Sequence, residues 1–188
     1  MSLKCCDCSK CLIIVICDDT INIITKGLDA KKGGSIYYGM GNDNMNKVMF
    51  TVSTGMSKSG WAMTLLGSKT WGDGYAQGTD FKGYTYFVNI SKRINEQHQL
   101  SFTAFGAPQE HYQRKGALTR ADWKMTEQVW GVENHKYNSS YGFDKNGQRR
   151  TAEYNVYHKP QLSLNHQWQI NDKSSLSTVL YMSIGRGY

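Results

Sequence analysis

Three groups of residues have the types, and in part the spacing, for chemistry. Cys5, Cys8 and Cys11 recur every third residue, the interval at which thiolates share a metal ion or an iron–sulfur cluster. A fourth ligand would have to be Cys6 or Cys17, and neither completes a standard pattern. Gly72-Asp73-Gly74 with Gly78 approaches a dinucleotide loop, but its spacing is wrong and a strand-like run follows where a helix is required. His98, His111, His135, His158 and His166 show no close ligand pairing, so surface or interface positions are expected for them. No Ser/His/Asp or Cys/His arrangement is evident, and the scattered carboxylates form no acid–base pair. The chain therefore does not read as an enzyme, and no resident metal or cofactor is expected.

The segment 109–156 carries the chemistry of recognition instead. Tyr112, Arg114, Arg120, Trp123, Trp130, Arg149 and Arg150 fall within it. Guanidinium forks suit anionic ligands, and phenol or indole rings suit sugar and catechol faces. Long loops on a rigid scaffold often bind ligands, so these seven are the candidate ligand-binding residues.

Composition narrows the scaffold. The 188 residues carry 22 Lys+Arg against 15 Asp+Glu, a formal charge of +7, and 39% are hydrophobic. The positive charge is spread along the chain rather than clustered, which argues against a nucleic-acid partner. No apolar run is long enough for a transmembrane helix. A membrane β-barrel remains open, because only alternate residues of its strands need be apolar. The Gly, Tyr and Trp content fits strands with many turns.

Alternation supplies the elements. Strands are expected at about 35–41, 47–56, 60–70, 81–93, 98–107, 157–170 and 174–186. One row holds Ile36, Tyr38 and Met40, then Val48, Phe50 and Val52, then Trp61, Met63 and Leu65. It continues with Tyr84, Tyr86, Val88 and Ile90, with Leu100, Phe102 and Ala104, with Leu162, Leu164, Trp168 and Ile170, and with Leu176, Leu180, Met182 and Ile184. The opposite row is mostly Ser, Thr, Asn and Gln, interrupted by Leu66, Phe87, Phe105, Val179 and Tyr181. His166 falls on the apolar row with no evident reason. Tight turns at 57–59, 94–97 and 171–173 alternate with larger connections at 71–80 and 109–156, and Pro108 is expected to end its strand. Short turns at one end and long loops at the other suit an outer-membrane barrel, with an aromatic girdle at Trp61 and Trp168. A soluble β-sandwich or barrel would show the same alternation, but its strands average about 5–6 residues.

TINIITK at 20–26, with the charged GG connector after it, resembles the junction of plug and barrel in TonB-dependent outer-membrane receptors. GWAMTLLGSKTWGDGYAQGTDFKGYTYFVNISKRINEQHQLSFTAFGAPQEHYQR (60–114) and YHKPQLSLNHQWQINDKSSLSTVLYMSIGRGY (157–188) resemble early barrel strands of Bacteroidetes-type members. The resemblance implies an all-β fold: an antiparallel up-and-down meander, about seven strands of a plugged barrel of roughly 22. It implies active uptake of a scarce ligand, a siderophore, haem, cobalamin or glycan, across the outer membrane. The partners implied are that ligand, outer-membrane lipid, and the TonB complex acting through an N-terminal part not in this chain. The domain division expected is an atypical, foreign or misread start at 1–19, the end of a plug with its connector at 20–33, and barrel at 34–188. A passive porin-like barrel and a soluble β-rich binding protein are the alternatives.

Overall fold

The computed structural model describes residues 13–17, 20–24, 30–114, 118–131, 134–150 and 153–187. Cys5, Cys6, Cys8 and Cys11 lie outside the described residues, as do the end of the 20–26 run and the start of the connector. The β-branched run Ile13–Cys17 forms β1 and pairs antiparallel with Thr20–Ile24, β2, as a separate two-stranded sheet. The plug-like run thus has its strand partner inside the segment expected to be foreign to it.

All other described strands join one antiparallel sheet. They are β3 (Gly33–Met40), β4 (Asn46–Ser53), β5 (Trp61–Gly72), β6 (Phe81–Arg93), β7 (His98–Gly106), β8 (Gln109–Tyr112), β9 (Tyr154–His158), β10 (Gln161–Asn171), β11 (Ser174–Ser183) and β12 (Arg186–Gly187). A single helix, α1, spans Arg120–Trp130 between β8 and β9. The order β11-β10-β7-β6-β5-β4-β3 is the expected meander of seven long strands. The sheet does not close: β3 and β11 each keep a free edge among the described residues.

Two details differ from the expected strands. Pro108 interrupts its strand rather than ending it, and the expected strand 157–170 is broken at Lys159–Pro160 into β9 and β10. The register explains both. Tyr86 pairs with Gly106 and Phe81 with His111, so β8 continues the alignment of β7 against β6. β9 continues β10 against β8, and β12 continues β11 against β9, in the same way. A proline withholds one N–H but still accepts: Tyr84 N donates to Pro108 O (2.8 Å) and Ile184 N to Pro160 O (3.3 Å). Three strands therefore run on past a break at one common level. The segment 109–156, expected as loop, contributes β8, α1 and part of β9.

The pairing assembles the alternating residues into rows that cross the sheet. Val52, Leu65, Val88, Ala104, Leu162 and Met182 pair in succession across six strands. Met63, Ile90, Phe102, Leu164 and Leu180 form the next row on the same face. That face is open: Ile36 is 85% exposed and Leu180 66%. The buried side chains of the sheet lie on the opposite, polar face, where Asn89 is 2% exposed and Ser91 1%. Asn89 Nδ2 donates to Ser101 Oγ and Thr103 Oγ1, both at 2.9 Å, and Ser91 Oγ donates to Asn89 Oδ1 at 2.8 Å. Three of the five exceptions on this face pair in succession, Leu66 with Phe87 and Phe87 with Phe105. Among the described residues the only buried hydrophobic ones are Ala62 and Ala76, so the sheet has no apolar core.

Candidate functional site

The tight turns gather at one end of the meander and the longer connections at the other. Asp43 and Asn44 both adopt positive φ (53° and 55°), the conformation a two-residue hairpin turn requires and Asn or Asp tolerates. That turn is tied to its neighbours. Asp73 N donates to Asp43 O (2.9 Å), and Lys136 Nζ pairs with Asp43 Oδ1 (3.1 Å) while lying 5.3 Å from the Tyr75 ring. Asn138 Nδ2 donates to Gln77 O (2.9 Å) and Gln77 N to Lys136 O (2.8 Å). The connections 41–45 and 73–80 and the described residues 134–138 thus form one bonded cluster.

Arg149 is its central strut. Its Nη2 donates to Asp80 Oδ1 at 2.6 Å and to Gly78 O at 2.7 Å, and its guanidinium carbon stands 3.5 Å from the Tyr112 ring centroid. The Asp80 carboxylate holds this guanidinium more firmly protonated than usual, although partial burial pulls the other way. Tyr112 in turn packs on Tyr154 at 4.6 Å. Tyr154 donates to Glu110, which also pairs with Lys82. Together with Lys69, Trp71 and Phe81 these residues line an open groove of about 400 Å³. Strand parity puts Lys69, Trp71, Lys82 and Glu110 on the apolar face, Lys69 in the row of Val48 and Tyr84 and the other three in the next row outward.

Of the seven candidates, the structure brings Tyr112 and Arg149 together. Arg150 Nη2 bonds Tyr141 O at 3.2 Å beside them. Arg114 Nη1 donates to His135 O (3.2 Å), and Trp123 meets the His135 ring edge-on at 4.7 Å, so those two converge on a second point. Arg120 stands exposed in the first turn of α1 and joins neither group. The Trp130 side chain lies outside the described residues. Asp80, Glu110 and Tyr154 were missed by the sequence reading. Alternation resumes at Gln109–Tyr112, but Pro108 hid it.

α1 is capped by Thr119, whose Oγ1 accepts from Asp122 N (3.2 Å) while Asp122 Oδ2 accepts from Thr119 N (2.8 Å). The Thr119 side-chain and backbone bonds hold the Asp122 carboxyl below its ordinary value. Gly131 closes the helix at φ 75°.

A second cluster lies at the tight-turn end of the apolar face. His98 stacks on Trp168 (5.5 Å, 20°) and on His166 (5.3 Å, 3°), and Lys92 Nζ sits 4.9 Å from the Trp61 ring. His166, unexplained in the sequence, belongs to this band. Among the described residues no three His, Cys, Asp or Glu gather as metal ligands. No family model, curated protein or solved structure matches the chain.

Proposed function

We propose that this chain is part of the barrel wall of a TonB-dependent outer-membrane receptor, a machine for active uptake of a scarce ligand. One observation carries the membrane reading: the apolar rows are open, while the buried side chains of the central strands, Ala62, Asn89, Ser91 and Thr103, all lie on the polar face. A water-soluble sheet would do the reverse, since apolar burial drives its folding. Lipid removes the conflict, because hydrocarbon is the solvent for the open rows and the polar face turns to a wet lumen.

The dimensions agree. Trp61 and Trp71 share the apolar face at opposite ends of β5. Ten residues of strand span roughly 34 Å, or roughly 26 Å at the ~40° tilt of such barrels, against an apolar band of about 25 Å. Amphipathic residues mark both borders: Trp61, Lys92, His98 and Trp168 at one, and Lys69, Trp71 and Tyr84 at the other. The free edges of β3 and β11 require further strands in a membrane, where an unpaired ladder is not tolerated. The bonded outer connections supply a stiff surface for ligand capture, with the Tyr112–Arg149–Tyr154 groove at its rim.

Refolding the chain with lipids brominated on the acyl chain tests the membrane reading. Quenching of Trp61 and Trp168 emission is expected; a monomer stable in plain buffer with unquenched tryptophans would refute it. The choice of an active receptor over a passive barrel rests on the resemblance of 20–33, 60–114 and 157–188. Reading the coding DNA upstream tests that choice: a plug and a TonB-contacting segment support the receptor, and their absence leaves the passive barrel.

A further inference from the structure

We infer that His98 and His166 form a two-imidazole chelate for a borderline divalent transition-metal ion, of the class Cu(II), Ni(II) or Zn(II). The two residues sit on neighbouring strands, with His98 paired to Trp168 and His166 to Leu100, so their side chains are diagonal neighbours on one face. His98 Nδ1 and His166 Nε2 are 3.1 Å apart. Two imidazole nitrogens bound at ~2.05 Å stand roughly 2.9 Å apart at a square-planar angle and roughly 3.3 Å apart at a tetrahedral one. The observed separation lies between these values; an ion bound to both nitrogens sits roughly 1.3 Å off the line between them, so each ring turns by roughly 40° from its hydrogen-bonded orientation to receive it.

The surroundings favour an ion at this point. The sheet ladder fixes both backbones, and Trp168 stacked on His98 restrains that ring. Lys92, a cation on the same face, is held by Ser59 O (2.5 Å) and the Trp61 ring. Both imidazoles are half-buried, which leaves room for water at the remaining coordination positions. With two protein ligands the affinity is modest, and Cu(II) binds most tightly of the three. The inference does not depend on the membrane reading, because the pair is built by the strand register alone.

The test uses the full chain with its thiols blocked by iodoacetamide, held monomeric in detergent or, if it is soluble, in buffer. Cu(II) is titrated against tryptophan emission and Zn(II) by calorimetry. One saturable equivalent is expected, with quenching that disappears in Trp168→Phe. His98→Gln and His166→Gln should each weaken binding at least tenfold, whereas His135→Gln should not. Absence of saturable binding in the unsubstituted chain would overturn the inference without recourse to any variant. Affinity in both glutamine variants equal to that of the unsubstituted chain would overturn it as well.

Discussion

Asn89 shows how a polar side chain comes to be buried in this protein. Its amide bonds Ser101 and Thr103 and accepts from Ser91, so a hub on β6 locks β7 from the polar face. Asn89→Ala removes the bonds to all three hydroxyls, leaving Ser91 and Ser101 only each other, at a cost of about 1–3 kcal/mol. A lower urea midpoint in detergent micelles is expected; an unchanged one would mean that water replaces the amide without loss. Asp122 carries a pH dependence. Its folded carboxyl titrates below the ordinary 3.8, so its contribution to α1 is complete above that value and is lost as pH falls through the folded value. Amide exchange in the first turn of α1 should therefore accelerate below about pH 3.8, and Thr119→Ala, which removes roughly 1 kcal/mol of capping, should mimic this at neutral pH. Arg149 was legible as a candidate for ligand contact; the structure adds that its guanidinium ties two connections through Asp80 and Gly78.

Among the elements, each long strand has two faces of opposite character, which yields a comparison with a definite sign. Leu164 lies on the apolar row and Ser163 on the polar one. On the proposed reading Leu164→Lys costs about 2–4 kcal/mol in a bilayer, and Ser163→Lys far less. In a water-exposed sheet Leu164→Lys would fall within roughly 0.5 kcal/mol of neutral. Denaturant unfolding from lipid vesicles separates the two cases. β6 could be read from its alternation with both ends in place, because Thr, Tyr, Val and Ile alternate there without a breaker. β8 and α1 could not. Proline at 108 looks in a sequence like a stop, and only the partner strand shows that one lost donor leaves the register intact. The helix was hidden in a polar stretch read as loop, although the Thr119-x-x-Asp122 box and Gly131 mark its two ends.

For the whole molecule, the two free edges and the open apolar face set the behaviour in solution. An unpaired ladder at β3 or β11 templates association with another chain, and the apolar rows add a continuous sticky surface. Size-exclusion chromatography with light scattering should find large aggregates in buffer and discrete particles in detergent; a discrete monomer in buffer would contradict this. The residues themselves determined the strands and their parity, because a period of two is written into the order of side chains and survives any arrangement of the sheet. They did not determine which row would be covered. That depends on how the sheet lies and on what, if anything, packs against each face, and both are properties of distant strands brought together. The same holds for the groove at Tyr112, Arg149 and Tyr154 and for the pair His98 and His166, whose members are far apart in sequence and meet only through the register of the assembled sheet and the tied connections.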